Sequence, residues 1–225
     1  MGYRKLKPLL WRTTAREKPC WFFGTMHWPD DWERRLPKSL LATVDACDAL
    51  CVEYIVDGSE TPNADDFLGE RNTRRLVNAA RTAQRTTGEK QAILTILDQW
   101  LGRRMHARGG LVYQLESRTE QEAALDTLCG AYQLSPKGLT LQELNTAYLG
   151  RDLEAMHQLE MSIWTEPAAT WANRHVRMAR RLLDLFRETP ETSYMVAIGL
   201  SHLTGPTSVL DLIDLGSVPT EKDGW

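Results

Sequence analysis

Cys20-Trp-Phe-Phe-Gly24-Thr-Met-His27 and Tyr194-Met-Val-Ala-Ile-Gly199-Leu-Ser-His202 repeat one pattern near opposite ends of the chain: an apolar run, a glycine, and a histidine three residues on. A run of about five apolar residues broken by Gly reads as a buried strand. Gly24 and Gly199 are expected to let the backbone turn sharply, so that His27 and His202 sit just past the strand ends. Open α/β sheets bind ligands at the carboxyl ends of their strands. Two such strands lying side by side would present both imidazoles to one pocket.

Two further runs end in a carboxylate. Asp48-Ala-Leu-Cys-Val-Glu53-Tyr-Ile-Val56 is rich in β-forming residues, and a charge on such a strand is costly unless it is paired or bound to a metal. Leu111-Val-Tyr-Gln-Leu115 is closed by Glu116. Four strand ends thus carry His27, Glu53, Glu116 and His202. Two imidazoles with carboxylates suit a divalent transition metal such as Mn, Co, Zn or Fe, or else a metal-free His/Glu pair that activates water.

Between these strands the pattern is helical. Leu36-Pro-Lys-Ser39 opens a helix to about Cys47, which makes a strand–helix–strand unit and implies a parallel pair. Ala92–Met105 is apolar at helical spacing and is stopped by Arg108-Gly109-Gly110. The fold expected is α/β, with a small central sheet of about four strands, at least partly parallel, crossover helices, and a helical insertion at about 117–190 before the last strand. A polar tail is expected over about 216–225, and one domain over 1–225, since 225 residues are near the size of a single core.

Composition excludes several classes. Lys+Arg of 27 against Asp+Glu of 30 leaves a net charge of −3, so nothing demands nucleic acid or an anionic membrane. The basic helical stretch from Asp65 to Arg85 reads as a solvated face. No apolar run approaches the ~18 residues of a membrane span, and Leu9-Leu10-Trp11 is too short for an export signal. Four cysteines without a Cys-x-x-Cys pair read as buried small hydrophobes of a reducing compartment, hence a cytoplasmic protein. His106 and His157 lie in charged helical contexts and read as surface residues.

In these residues the chain resembles the TraB/GumN family, whose animal relatives are the TIKI proteases. Phe23-Gly-Thr-Met-His27 looks like the family's Gly-Thr-x-His signature, and Gly199-Leu-Ser-His202-Leu-Thr-Gly205 looks like its Gly-x-x-His-Leu-x-Gly signature. Landmarks between them follow in order: Val52-Glu53, Leu97-Asp98, Leu115-Glu116-Ser117 with Gln121, Tyr148-Leu-Gly150, and Asn173-Arg174. The chain departs from the pattern at His175, where the family has Asn. The resemblance implies a metal-dependent hydrolase acting on peptide or amide bonds, with a peptide or small-molecule substrate. His27 and His202 would hold Mn, Co or Zn with help from Glu53 or Glu116. The carboxylate not used as a ligand would move the proton, and Arg174 would stabilise the developing oxyanion. A metal-free His/Glu esterase-like enzyme and a non-catalytic binding module on the same fold are the alternatives.

Overall fold

The structure, a computed structural model, describes residues 7–13, 16–26, 32–54, 97–121, 123, 146–148, 150–156, 158, 168–205, 207–213 and 217–219. His27, His157, Cys129, the basic stretch 65–85 and, within the expected insertion, 124–145 and 159–167 lie outside the described residues.

Six strands form one sheet: β1 (Leu9–Thr13), β2 (Cys20–Thr25), β3 (Ala49–Val52), β4 (Leu111–Gln114), β5 (Tyr194–Gly199) and β6 (Ser217–Pro219). Their spatial order is β4-β3-β5-β2-β1-β6. The four strands expected from sequence are β2 to β5, and they pair in parallel. Two more were not anticipated. β1 runs antiparallel to β2 and is built from the Leu9-Leu10-Trp11 stretch. β6 pairs antiparallel with β1 through Ser217–Pro219, inside the segment expected to be a polar tail. Three residues are too few to show period-2 alternation, and only their backbone pairing with β1 defines them.

The last parallel strand, β5, inserts between β3 and β2. Its burial explains its composition: every residue of β2, β3 and β5 is buried, so continuous apolar runs replace alternation. The helices α1 (Trp32–Arg35) and α2 (Lys38–Asp45) carry the chain from β2 to β3. Helix α3 (Leu97–Ala107) leads into β4 and stops in the expected place. There Gly109 adopts φ +77°, and Gly110 N–H reaches back to Met105 O at 3.0 Å, which closes the helix with a left-handed glycine.

Helix α4 (Ala168–Glu188) precedes β5 and is the described end of the expected insertion. Met178, Ala179, Leu182 and Phe186 form its core-facing stripe. A short 3-10 turn (Leu200–His202) follows β5, then helix α5 (Val209–Ile213). Among the described residues no helix is long and apolar enough to cross a membrane. Cys20, Cys47 and Cys51 are buried, unbridged thiols.

Candidate functional site

The two signature strands lie side by side. Cys20 pairs with Tyr194 and the register runs on to Gly24 with Ile198 and Thr25 with Gly199, so both motifs end at the same sheet edge. Glu53 and Glu116 reach that edge from the neighbouring pair. The ladder between β3 and β4 continues one step past the strands, with Glu116 N–H on Glu53 O at 2.8 Å. Parallel pairing in register is thus what aligns the two carboxylates and His202. His27 lies outside the described residues.

Neither motif glycine acts as expected. Gly24 lies inside β2, and its backbone is not left-handed; a Cβ there would stand 2.6 Å from Leu200 Cδ1. The residue is small because the turn carrying His202 packs against it. Gly199 has φ −50°, which any residue can adopt, and its N–H donates to Glu53 Oε1 at 2.5 Å. The glycine–histidine spacing holds, but its reason is close packing and a backbone donor.

Glu53, 2% exposed, is held on three sides. Besides Gly199 N–H, His202 Nε2 lies 3.4 Å from Oε1 and Arg174 Nη2 lies 3.7 Å from Oε2. Glu116 forms a bidentate pair with Arg174, Nε to Oε1 at 2.8 Å and Nη2 to Oε2 at 2.6 Å, with both side chains almost fully buried. This planar fork fixes the guanidinium between two carboxylates. Ser117 and Glu120 brace the same corner as a reciprocal cap: Ser117 N–H donates to Glu120 Oε2 at 2.7 Å and Glu120 N–H to Ser117 Oγ at 3.3 Å. Arg181 pairs with Glu120, and with Ser117 it holds that carboxyl down at about 2 against the opposing effect of burial.

Helix α4 supplies the remaining wall. Trp171, Arg174 and His175 are three and four residues apart, one to two turns ahead of Met178 and Ala179 on the same stripe. Trp171 stacks on His202, with ring centroids 4.5 Å apart and planes 21° apart, and carries the Arg174 guanidinium at 4.8 Å from its ring. His175 stands edge-on to both, 5.2 Å from Trp171 and 5.0 Å from His202. Its Nδ1 lies 2.8 Å from Thr207 O.

Burial pushes His202 down to about 4, against the partial compensation of Glu53, so the ring is neutral at pH 7. Burial also lowers His175, despite its bond to Thr207. Tyr148 joins the motif from outside: its hydroxyl donates to Gly24 O at 2.7 Å in a buried contact.

Sequence reasoning singled out His202, Glu53, Glu116 and Arg174, and the structure brings these four together. It passed over Trp171 and left His175 undecided. The available signal was α4 itself, where a Trp, an Arg and a His occupy its otherwise apolar stripe. His106, read as a surface residue, is exposed. Among the described residues, no three His, Cys, Asp or Glu side chains are grouped so as to hold a metal ion. The donor chemistry nevertheless fits one. His202 Nδ1 and His175 Nε2 are buried imidazole nitrogens with no hydrogen-bond partner among the described residues.

No curated protein and no solved structure matched the chain. A family model does match, over residues 73–214, which take in Glu116, Arg174 and His202 while His27 and Glu53 precede them. That span is more than half of the sequence, and the chain belongs to the TraB/PrgY/gumN family.

Proposed function

We propose that the protein is a metal-dependent hydrolase of peptide or amide bonds, working on a peptide or small-molecule substrate at the carboxyl edge of β2, β3, β4 and β5. The observation that carries this reading is a neutral, buried His202 braced by Glu53 beside a guanidinium locked to Glu116. Family membership supports it. His202, with His27, would hold Mn, Co or Zn. Such a cation brings water to a pKa near ~7 and so makes hydroxide available at neutral pH.

The chain's own residues do the rest. Glu53, held by Gly199 N–H, keeps the His202 ring in one orientation and is the nearest carboxylate to take and return a proton. Glu116 fixes Arg174, whose positive charge would stabilise negative charge developing on the scissile carbonyl oxygen. Trp171 limits water around His202 and gives the charged pair a less polar wall. The chemistry needs no membrane or nucleic acid, and we place it in the cytoplasm.

Metal analysis of the purified protein, with hydrolysis of a peptide library in the presence of Mn, Co or Zn and then of chelator, tests the proposal. Metal uptake and chelator-sensitive cleavage are expected. No metal and no cleavage would overturn it. The His202–Glu53 pair also favours a second reading, a metal-free general base in an esterase-like enzyme. Chelator-resistant ester hydrolysis would select that reading.

A further inference from the structure

We infer that His175 is a metal ligand alongside His202, with His175 Nε2 and His202 Nδ1 facing the cation and Glu53 acting as the carboxylate that orients His202. The inference rests on the metal-dependent reading above and assigns its ligand atoms.

Each imidazole has one nitrogen engaged and the other left over. Thr207 O can only accept, so His175 Nδ1 carries the proton in their 2.8 Å bond, and Nε2 of the neutral ring is a lone pair. Glu53 Oε1 lies 3.4 Å from His202 Nε2 and is itself anchored by Gly199 N–H, which assigns that proton to Nε2 and the lone pair to Nδ1. Metal-binding histidines show this arrangement, one ring N–H given to a carboxylate or backbone carbonyl while the other nitrogen binds.

Both left-over atoms are among the buried side-chain polar atoms that find no partner among the described residues, in residues that are 1% and 2% exposed. Buried acceptors are costly to leave unmade, and such a cost persists where a ligand offsets it. Their spacing suits a shared cation. Two imidazoles bound tetrahedrally at about 2.1 Å place their ring centroids about 5 Å apart. The observed separation is 5.0 Å, with the planes at 82°. Trp171 touches both rings and restricts their rotation. A site presenting imidazole nitrogens favours a borderline ion such as Zn(II) over Mg(II) or Ca(II).

The test uses Zn(II) and the full-length, metal-stripped chain. Calorimetric titration should show wild type binding Zn(II), His175→Asn binding at least tenfold more weakly, and His106→Asn binding as wild type does. Nitrogen NMR of histidine-labelled wild type needs no substitution, so it decides the matter should His175→Asn fail to fold: His175 Nε2 and His202 Nδ1 should move on adding Zn(II). If wild type binds Zn(II) while the His175 nitrogens stay put, or His175→Asn binds equally well, this inference falls and the metal-dependent reading stands. If wild type binds none of Zn(II), Co(II) or Mn(II), both fall.

Discussion

Replacing Arg174 with Met should destabilise the metal-stripped protein severely, because it removes a guanidinium that bridges two buried carboxylates, Glu53 and Glu116. Arg174 is 6% exposed and Glu116 1%, and their two hydrogen bonds of 2.8 and 2.6 Å are shielded from water. Met fills a similar volume, so the cavity contribution is small. What remains is an uncompensated buried Glu116, and breaking a buried pair from one side costs about 3–5 kcal/mol. A domain has only about 5–15 kcal/mol in total. For a chain of this size 1 kcal/mol moves Tm by about 2–4 °C, so the expected drop is roughly 6–20 °C. Adding Glu116→Gln should recover about half of the loss, because the neutral amide no longer needs a counter-charge. Recovery stays partial because Glu53, 3.7 Å from the guanidinium, loses that neighbour in the double variant as in the single one. Urea unfolding of wild type, both single variants and the double variant measures the cycle. An Arg174→Met loss under about 1 kcal/mol, or a double variant no better than that single one, would refute the reasoning.

Lowering pH should weaken the metal-stripped protein through His202, whose pKa is about 4 in the fold against about 6.5 unfolded. Between those values the unfolded chain takes the proton and the native one does not. Stability should therefore fall as pH drops from about 6.5 to 4, by on the order of 3 kcal/mol; His202→Gln should lose this component of the pH slope, and an unchanged slope would contradict the assignment. Tyr148→Phe deletes the donor to the buried Gly24 carbonyl and should cost about 1–3 kcal/mol by thermal melting. Gly24→Val drives a branched side chain into Leu200, whose Cδ1 would stand 2.6 Å from the new Cβ alone. Overpacking of about 1–3 kcal/mol is expected, together with weakened Zn(II) binding as the turn carrying His202 shifts; full binding would show that turn to be indifferent to its packing.

The sequence by itself determined the parallel core and most of the site's membership. A buried strand in a parallel sheet is apolar throughout, so β2, β3 and β5 are visible as runs, and a glycine or carboxylate that ends such a run marks the edge where function collects. His202, Glu53 and Glu116 could be chosen on that ground alone, and the α4 helix is legible from its 3.6-residue stripe. Tertiary structure decided the rest. That Glu53 meets Gly199 rather than standing open depends on β5 inserting between β2 and β3, and strand order has no local signature. The reason for Gly24 is likewise a contact with Leu200, far along the chain, and not a property of its own dihedral angles. β6 exists only because β1 offers it an edge, and the roles of Trp171 and His175 follow from where α4 docks. Residues whose chemistry comes from partners far along the chain become readable only when the chain has folded.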